Sequence, residues 1–287
     1  MKIDNKSMFA SIKNALATKD EASGSGLYRE ILKTPPGHTY IVKLLPNIND
    51  VPNSIYHYYN HGWNSFATGA YVQVLSPTTY GERDPISEKR FAALRGTDDE
   101  LKEKFDKVRR SEKWLVNVYV VDDPVNPENN GKVKILRYGK QLGKVIDDAT
   151  FGEDEAEFGE KVFDLDKAGC NLKIKVDKQG DFPNYTSSRF AFTNSLELDA
   201  KKKEEILKSC HSLDEVFTAK TDVELLAMLD EHVYCKSTET ELKAEDKAID
   251  TVIDSVQGET TPVADSSPVQ AETDSAEIDD LLEGLDI

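Results

Sequence analysis

The sequence predicts a mainly β protein with accessory helices, folded as a small barrel or a partly open sheet. Three observations carry that reading. Five β-like segments follow one another between Tyr40 and Val176, turn residues separate them, and little helical periodicity intervenes, which argues against a doubly wound sheet. With 287 residues and 38% hydrophobic side chains, the chain can bury one sizeable core and a second small lobe.

The first element is helical: Met8, Phe9, Ile12, Ala15 and Leu16 recur at helical spacing behind Ser7, a plausible cap. EASGSG, residues 21–26, then reads as a flexible joint. The strands follow as YIVKLL at 40–45, YVQVL at 71–75, WLVNVYVV at 114–121, KVKILRY at 132–138 and NLKIKV at 171–176. In the last of these Leu172, Ile174 and Val176 share one face and Lys173 and Lys175 the other, so one face seeks a core and the other water or anions. In KVKILRY the same alternation groups Lys134, Leu136 and Tyr138. Helices return at Ser212–Glu215 and Thr221–Glu224, both with the spacing of a capping box, and are expected to brace the sheet.

Charge is segregated along the chain. The formal net charge is -17, and the last 40 residues hold eleven acids and no Lys or Arg, leaving -6 for the preceding 247. Beyond about Ser237 the composition is too polar to repay the entropy of ordering, so residues 238–287 are expected to form a disordered acidic tail. At its end Ile278, Leu281, Leu282 and Leu285 fall at i, i+3, i+4 and i+7, the pattern of a short helix that folds into a partner's groove. The polar start and the absence of a long apolar run predict no signal peptide and no membrane span. Cys170, Cys210 and Cys235 lack metal-ligand spacing and are expected to be reduced thiols.

Against this acidic background two islands are basic. GKVKILRYGKQLGKV, residues 131–145, carries Lys132, Lys134, Arg137, Lys140 and Lys144 around Tyr138 and no acid at all. KEKFDKVRRSEKW, residues 102–114, supplies Lys102, Lys104, Lys107, Arg109, Arg110 and Lys113 with Phe105 and Trp114. Cations that follow phosphates, interleaved with rings on which bases stack, are what sequence-tolerant single-strand binding requires. The plainer reading is a solvated charged face, and Glu103, Asp106 and Glu112 favour it in the second island. In GDFPNYTSSRF, residues 180–190, Phe182, Tyr185 and Arg189 present two rings and a cation on a turn, or else anchor a loop. Catalytic patterns are absent: there is no phosphate-cradling glycine loop and the five histidines are scattered. The expectation is a protein that is not an enzyme.

The run DDPVNPENNGKVKILRYGKQLGKV, the element GDFPNYTSSRF, IVKLLP at 41–46, NHG at 60–62 and the terminal DDLLEGLDI together resemble the helix-destabilising single-stranded-DNA-binding proteins of T-even-type bacteriophages. The resemblance runs in patches from about Tyr40 to the C-terminus. It implies an N-terminal segment for cooperative self-association (1–21), an OB-fold core that binds single-stranded DNA (22–237, with a small lobe at about 50–110) and an acidic tail that recruits replication, recombination and repair proteins. It further implies work in the cytoplasm of an infected host cell. Carried over by position, Lys43, Arg109, Arg110, Arg137 and Lys140 are cleft cations, and Phe105, Trp114, Phe182 and Tyr185 are rings in or near the strand path. Lys113, Lys132, Lys134, Tyr138 and Arg189 join them as DNA-contact candidates from the islands themselves. Lys2, Lys6 and Ser7 remain of a basic N-terminal cluster.

Three departures from the family pattern matter, one of them the thinning of its basic N-terminal cluster to Lys2, Lys6 and Ser7. Its best-known members hold a structural zinc with one histidine and three cysteines, whereas here only His61 persists and Ser76, Ile86 and Lys89 stand at the cysteine positions. No metal is therefore expected, and residues 76–91 are expected to be held by side-chain packing. Leu115 beside Trp114 replaces one of a pair of rings, which weakens stacking there. A second class of function, an acidic protein-interaction adaptor without intrinsic DNA affinity, stays open on the residues alone, and a metal-dependent nuclease lacks an ordered carboxylate cluster.

Overall fold

The computed structural model describes residues 26–180, 182–192 and 198–236; the expected N-terminal helix with Lys2, Lys6 and Ser7, and the tail with Ile278, Leu281, Leu282 and Leu285, lie outside them. Among the described residues the chain is mainly antiparallel sheet with five α-helices. The strands are β1 (His38–Leu44), β2 (Ile55–Asn64), β3 (Tyr71–Leu75), β4 (Arg109–Asp122), β5 (Val133–Tyr138), β6 (Asn171–Gln179), β7 (Phe182–Asn184) and β8 (Arg189–Ala191). The helices are α1 (Pro85–Arg95), α2 (Asp99–Lys107), α3 (Lys140–Phe151), α4 (Ala200–Lys208) and α5 (Asp222–His232). The sheet order is β3-β2-β4-β1-β6-β7, with β5 on β4 and β8 on β6.

The five expected strands are present; β6 alternates as expected, whereas β1 and the second half of β4 are buried on both faces. Leu172, Ile174 and Val176 of β6 enter the main core with Val42 and Leu44 of β1, Val116, Val118 and Val120 of β4, and Leu136 and Tyr138 of β5. Helix α3 closes this core with Leu142, Ile146 and Ala149. The fourteen-residue β4 is the spine of the sheet. Its first half pairs with β2 through Ile55↔Val116, His57↔Trp114 and Tyr59↔Glu112, and its second half pairs with β1 and β5.

Strand β2 was not expected, because IYHYYNHGWN carries rings and polar groups where an aliphatic strand would announce itself. It forms a ribbon with β3 and the start of β4 that projects beyond the main core. At the far end of this ribbon Trp63 and Val74 meet Ile86 and Ala93 of α1, Phe105 of α2 and Leu225 and Leu229 of α5 in a second core. Helix α5 starts as expected, with Thr221 and Glu224 forming both bonds of the capping box. Ser212 makes no such cap and heads only a single 3-10 turn, Leu213–Glu215. That turn covers the outer face of the sheet with Leu213 and Val216 against Tyr58, Leu115 and Ile135. No helix among the described residues is long and apolar enough to cross a membrane.

Candidate nucleic-acid interface

The ribbon has one inner face and one outer face, and register decides which residue lies on each. On the inner face, one end lies under α3, where a Cβ placed at Gly143 would be in van der Waals contact with Tyr138 and Trp114. The other end lies under α1 and α2. Between these covers His57, Tyr59 and Glu112 remain accessible, with Trp114 half-buried at the margin. The result is a trough whose floor is a sheet and whose two ends are helices.

Rings run along that floor in unbroken contact. Tyr138 stacks on Trp114 with centroids 5.8 Å apart and an interplanar angle of 13°. Trp114 meets His57 at 5.2 Å, and His57 meets Tyr59 edge-on at 4.9 Å. The Arg110 guanidinium then lies 4.9 Å over the Tyr59 ring and donates to Thr78 Oγ1 at 2.9 Å. Cation–π contact of this kind fixes a flexible cation above a flat apolar surface. One carboxylate sits among them: Glu112 Oε1 is 2.7 Å from His57 Nε2 and accepts from the Tyr59 hydroxyl at 3.3 Å. It thereby holds two rings in place.

The sequence-predicted candidates divide sharply. Arg110 and Trp114 belong to the trough, Lys140 opens α3 beside it as an exposed side chain, and Tyr138, a DNA-contact candidate, is corrected by burial: it packs in the main core behind Trp114 and presents no open face. Tyr185, in the loop after β7, packs partly buried against the main core, and its amide donates to Gln141 Oε1 at 3.0 Å, one residue along α3 from Lys140. Phe182 lies half-buried in the β6–β7 hairpin, Arg189 is exposed on the far side of β6, and Lys132 is exposed ahead of β5. Lys113 and Arg137 project to the outer face of the ribbon, opposite to Trp114 and Tyr138, and Lys113 is buried.

Two further candidates are corrected by burial. Phe105 is fully buried in the second core, so it packs the lobe and offers no ring to a ligand. Lys43 is fully buried as well, on the outer face of β1, and among the described residues its Nζ has no hydrogen-bond partner. Burial pushes its ammonium pKa down, so Lys43 is not a surface cation. Salt bridges reduce other candidates: Lys134 is bound to Glu30 at 2.7 Å and Arg109 to Asp106 at 3.1 Å. On α2, Lys102, Lys104 and Lys107 face acids of their own helix, which is the solvated charged face.

His57, Tyr59 and Glu112 were missed. The run Tyr56-His57-Tyr58-Tyr59 was the available signal, since alternation within a strand brings His57 and Tyr59 to one face. The outer face takes Tyr58, which is buried.

Beside the trough a buried polar group fastens the lobe. Asp84 Oδ2 lies 2.7 Å from His61 Nε2 and accepts from Ser76 Oγ at 2.7 Å and Ser87 Oγ at 2.9 Å. Its Oδ1 caps α1 by accepting from the amides of Ile86 and Ser87. Burial alone would raise the Asp84 pKa, but the bonds from His61, Ser76 and Ser87 outweigh it and hold the carboxyl well below its usual range. The 76–91 segment is therefore held by a hydrogen-bonded carboxylate as well as by packing. A zinc of the kind the resemblance implies does not fit these side chains. His61 Nε2 is engaged by Asp84, Ile86 is apolar and buried, Lys89 is a cation, and Ser76 already donates to Asp84. Among the described residues the three cysteines are free thiols, Cys170 buried and Cys235 exposed.

A family model described as gp32 DNA binding protein like matches residues 37–234 of this chain. The single-stranded DNA-binding protein of Enterobacteria phage T4 is 29% identical over 152 residues, which are 52% of this chain and 49% of that protein. The protein of the same description from Enterobacteria phage T2 is 28% identical over 152 residues, with the same shares. The chain thus spans about half the length of these curated relatives.

Proposed function

As the chain belongs to the gp32-like family of DNA-binding proteins, we propose that it binds single-stranded DNA in the trough, without sequence preference and without chemistry. The observation that carries this reading is the uncovered ladder Arg110–Tyr59–His57–Trp114, backed by the buried ring of Tyr138. Every base has a π-face, so stacking on exposed rings is sequence-tolerant, and each stacked base contributes about 1–3 kcal/mol. Arg110 and Lys140 flank the rings as phosphate contacts. A single strand can unstack its bases onto such a floor, whereas a stiff duplex hides them, so the protein captures transient openings and destabilises helices stoichiometrically.

In the same reading the sheet serves as an OB-type core, the segment 1–21 supports cooperative self-association along DNA, and the acidic tail 238–287 recruits replication, recombination and repair proteins in the host cytoplasm. The tail also competes for the cationic trough until DNA displaces it. We infer that the lobe works without zinc, with the His61–Asp84 bond in the place of a metal cross-link.

Fluorescence titration with oligothymidylate tests the core of this. Trp63 is buried and Trp114 borders the trough, so DNA is expected to quench a signal that Trp114→Phe removes. Undiminished fluorescence at saturating DNA in low salt would overturn the reading. Removing residues 238–287 is expected to tighten binding at low salt, and unchanged affinity would dismiss the competing tail. Elemental analysis of protein never exposed to chelator is expected to find no stoichiometric zinc.

A further inference from the structure

Outside the trough, one pair of side chains stands in an arrangement that folding alone does not favour. Lys173 of β6 and Arg189 of β8 are direct cross-strand partners. Their neighbours Leu172 and Phe190 turn into the main core, which leaves both cations on the outer face. Like charges placed directly across a strand pair are destabilising. Lys175 follows two residues along the same face, and Asp177 neutralises it at 3.1 Å. Among the described residues neither Lys173 nor Arg189 has a carboxylate within ion-pair distance. Across β6 the neighbour of Lys173 on β1 is Ile41, which offers no ring for stacking. The pair is suited to an anion that presents no base.

Its position connects it to the trough. β7 and β8 both pair with β6, and the loop between them leads from Tyr185, packed against the main core, to Arg189, whose cross-strand partner is Lys173. Tyr185 is held at the first turn of α3 by its bond to Gln141, on the trough side. Ser188 is tied to the Lys175 backbone, with its Oγ accepting from the amide at 3.1 Å. Arg189 then emerges on the outer face. Four residues span at most about 14 Å of chain, so a polynucleotide leaving the trough beside Lys140 and Tyr185 meets Arg189 and Lys173 next.

We propose that Lys173 and Arg189 form a second, outer phosphate-binding step for the single strand, taking its backbone as it rounds the β7–β8 edge. This deepens the trough reading and rests on it. The trough supplies stacking, and the outer step supplies charge alone. It lengthens the footprint without adding any preference among bases.

The experiment compares Lys173→Ala/Arg189→Ala with Trp114→Ala in salt-dependent titrations of the full chain, using oligothymidylates from about 4 to about 16 nucleotides. The outer double variant is expected to bind the shortest oligomers as the parent does. On the longest it loses about 1.4 from the slope of log affinity against log salt, since each single-strand phosphate contact contributes about 0.7. Trp114→Ala is expected to weaken every length. If the outer variant matches the parent at all lengths while Trp114→Ala weakens all, the outer step is refuted and the trough stands. If the outer variant weakens all lengths equally, the two cations act on the trough itself and the second step is also refuted. If neither variant changes binding, both readings fall together.

A single change separates function from folding at this site. Lys173→Glu places an acid opposite Arg189, so it is expected to raise Tm while weakening binding of long oligomers. A purely structural pair would move stability without moving affinity, and that result would sink the proposal.

Discussion

Residues one position apart on β4 live in different chemistries. Glu112 and Trp114 look into the trough, with an accessible carboxylate and a half-buried ring. Lys113 and Leu115 look outward into contacts that bury them. The two faces carry cations of the same kind, yet only Arg110 on the inner face is stretched over a ring and left open to solvent. What differs is the cover. Helices clamp the inner face at its ends and leave its middle bare, while the 3-10 turn after Ser212 lies over the outer face. A charged residue becomes a candidate for binding by what its face leaves uncovered, more than by its place in a basic run.

The harshest way to test that division is to attack the lobe that ends the trough. Phe105→Ala empties the middle of the second core and is expected to cost about 3–5 kcal/mol of stability in denaturant unfolding. The fraction that stays folded should bind oligothymidylate as the parent does. A large loss of affinity with little loss of stability would return Phe105 to the strand path. Asp84→Asn follows at about 3 kcal/mol, because it strips the charge from a group that accepts five bonds and leaves His61 with a poorer partner. Unfolding within 1 kcal/mol or so of the parent would show that packing alone holds the 76–91 segment.

The next effects are on binding. Trp114→Ala is expected to cost about 1–3 kcal/mol of affinity, or roughly five- to 150-fold, measured by anisotropy at fixed salt. Smaller still, and aimed at the two faces directly, is a pair of arginine variants. Arg110→Ala should lower the salt slope by about 0.7, the contribution of one phosphate contact. Arg137→Ala, on the outer face with its Nη1 directed to Gln73, should leave the slope unchanged. If the two variants exchange these results, the strand lies on the outer face and the comparison is reversed.

Much of the framework was legible in the sequence, and the gaps have physical causes. Alternation in NLKIKV sorted core from surface because aliphatic side chains have one preferred destination; in KVKILRY it grouped Leu136 with Tyr138 but did not show that both faces are buried, Leu136 and Tyr138 in one core and Ile135 in another. The ring-rich β2 was invisible to the same reasoning, and with it His57 and Tyr59, since Tyr and His are at home on either face. The acid-free stretch 131–145 misled in part. Lys134 finds Glu30 from a segment 104 positions away, and Lys144 finds Asp148 one turn along its helix, so a run without carboxylates is not a surface without them. Lys43 failed for a related reason: the loop that buries it, around Gly169, is remote in sequence. Local pattern reports which side chains share a strand face, and only tertiary contacts report what stands over that face.

The gentlest test of the comparison lies under the rings. Gly143 sits in the second turn of α3 with ordinary helical neighbours, and a methyl group there would meet Tyr138 and Trp114 at 3.7 and 3.9 Å, which is normal contact. Glycine inside a helix costs about 0.5–1 kcal/mol relative to alanine, through the freedom it loses on folding. Gly143→Ala should therefore raise stability by up to about 1 kcal/mol, read as an increase in Tm. It fills space on the α3 side of the ring ladder and touches neither His57 nor Arg110, so affinity for oligothymidylate should hold steady. A stabilised protein that binds markedly less well would mean that the strand reaches beneath α3 and needs the gap glycine leaves, placing the floor of the trough deeper than the exposed rings.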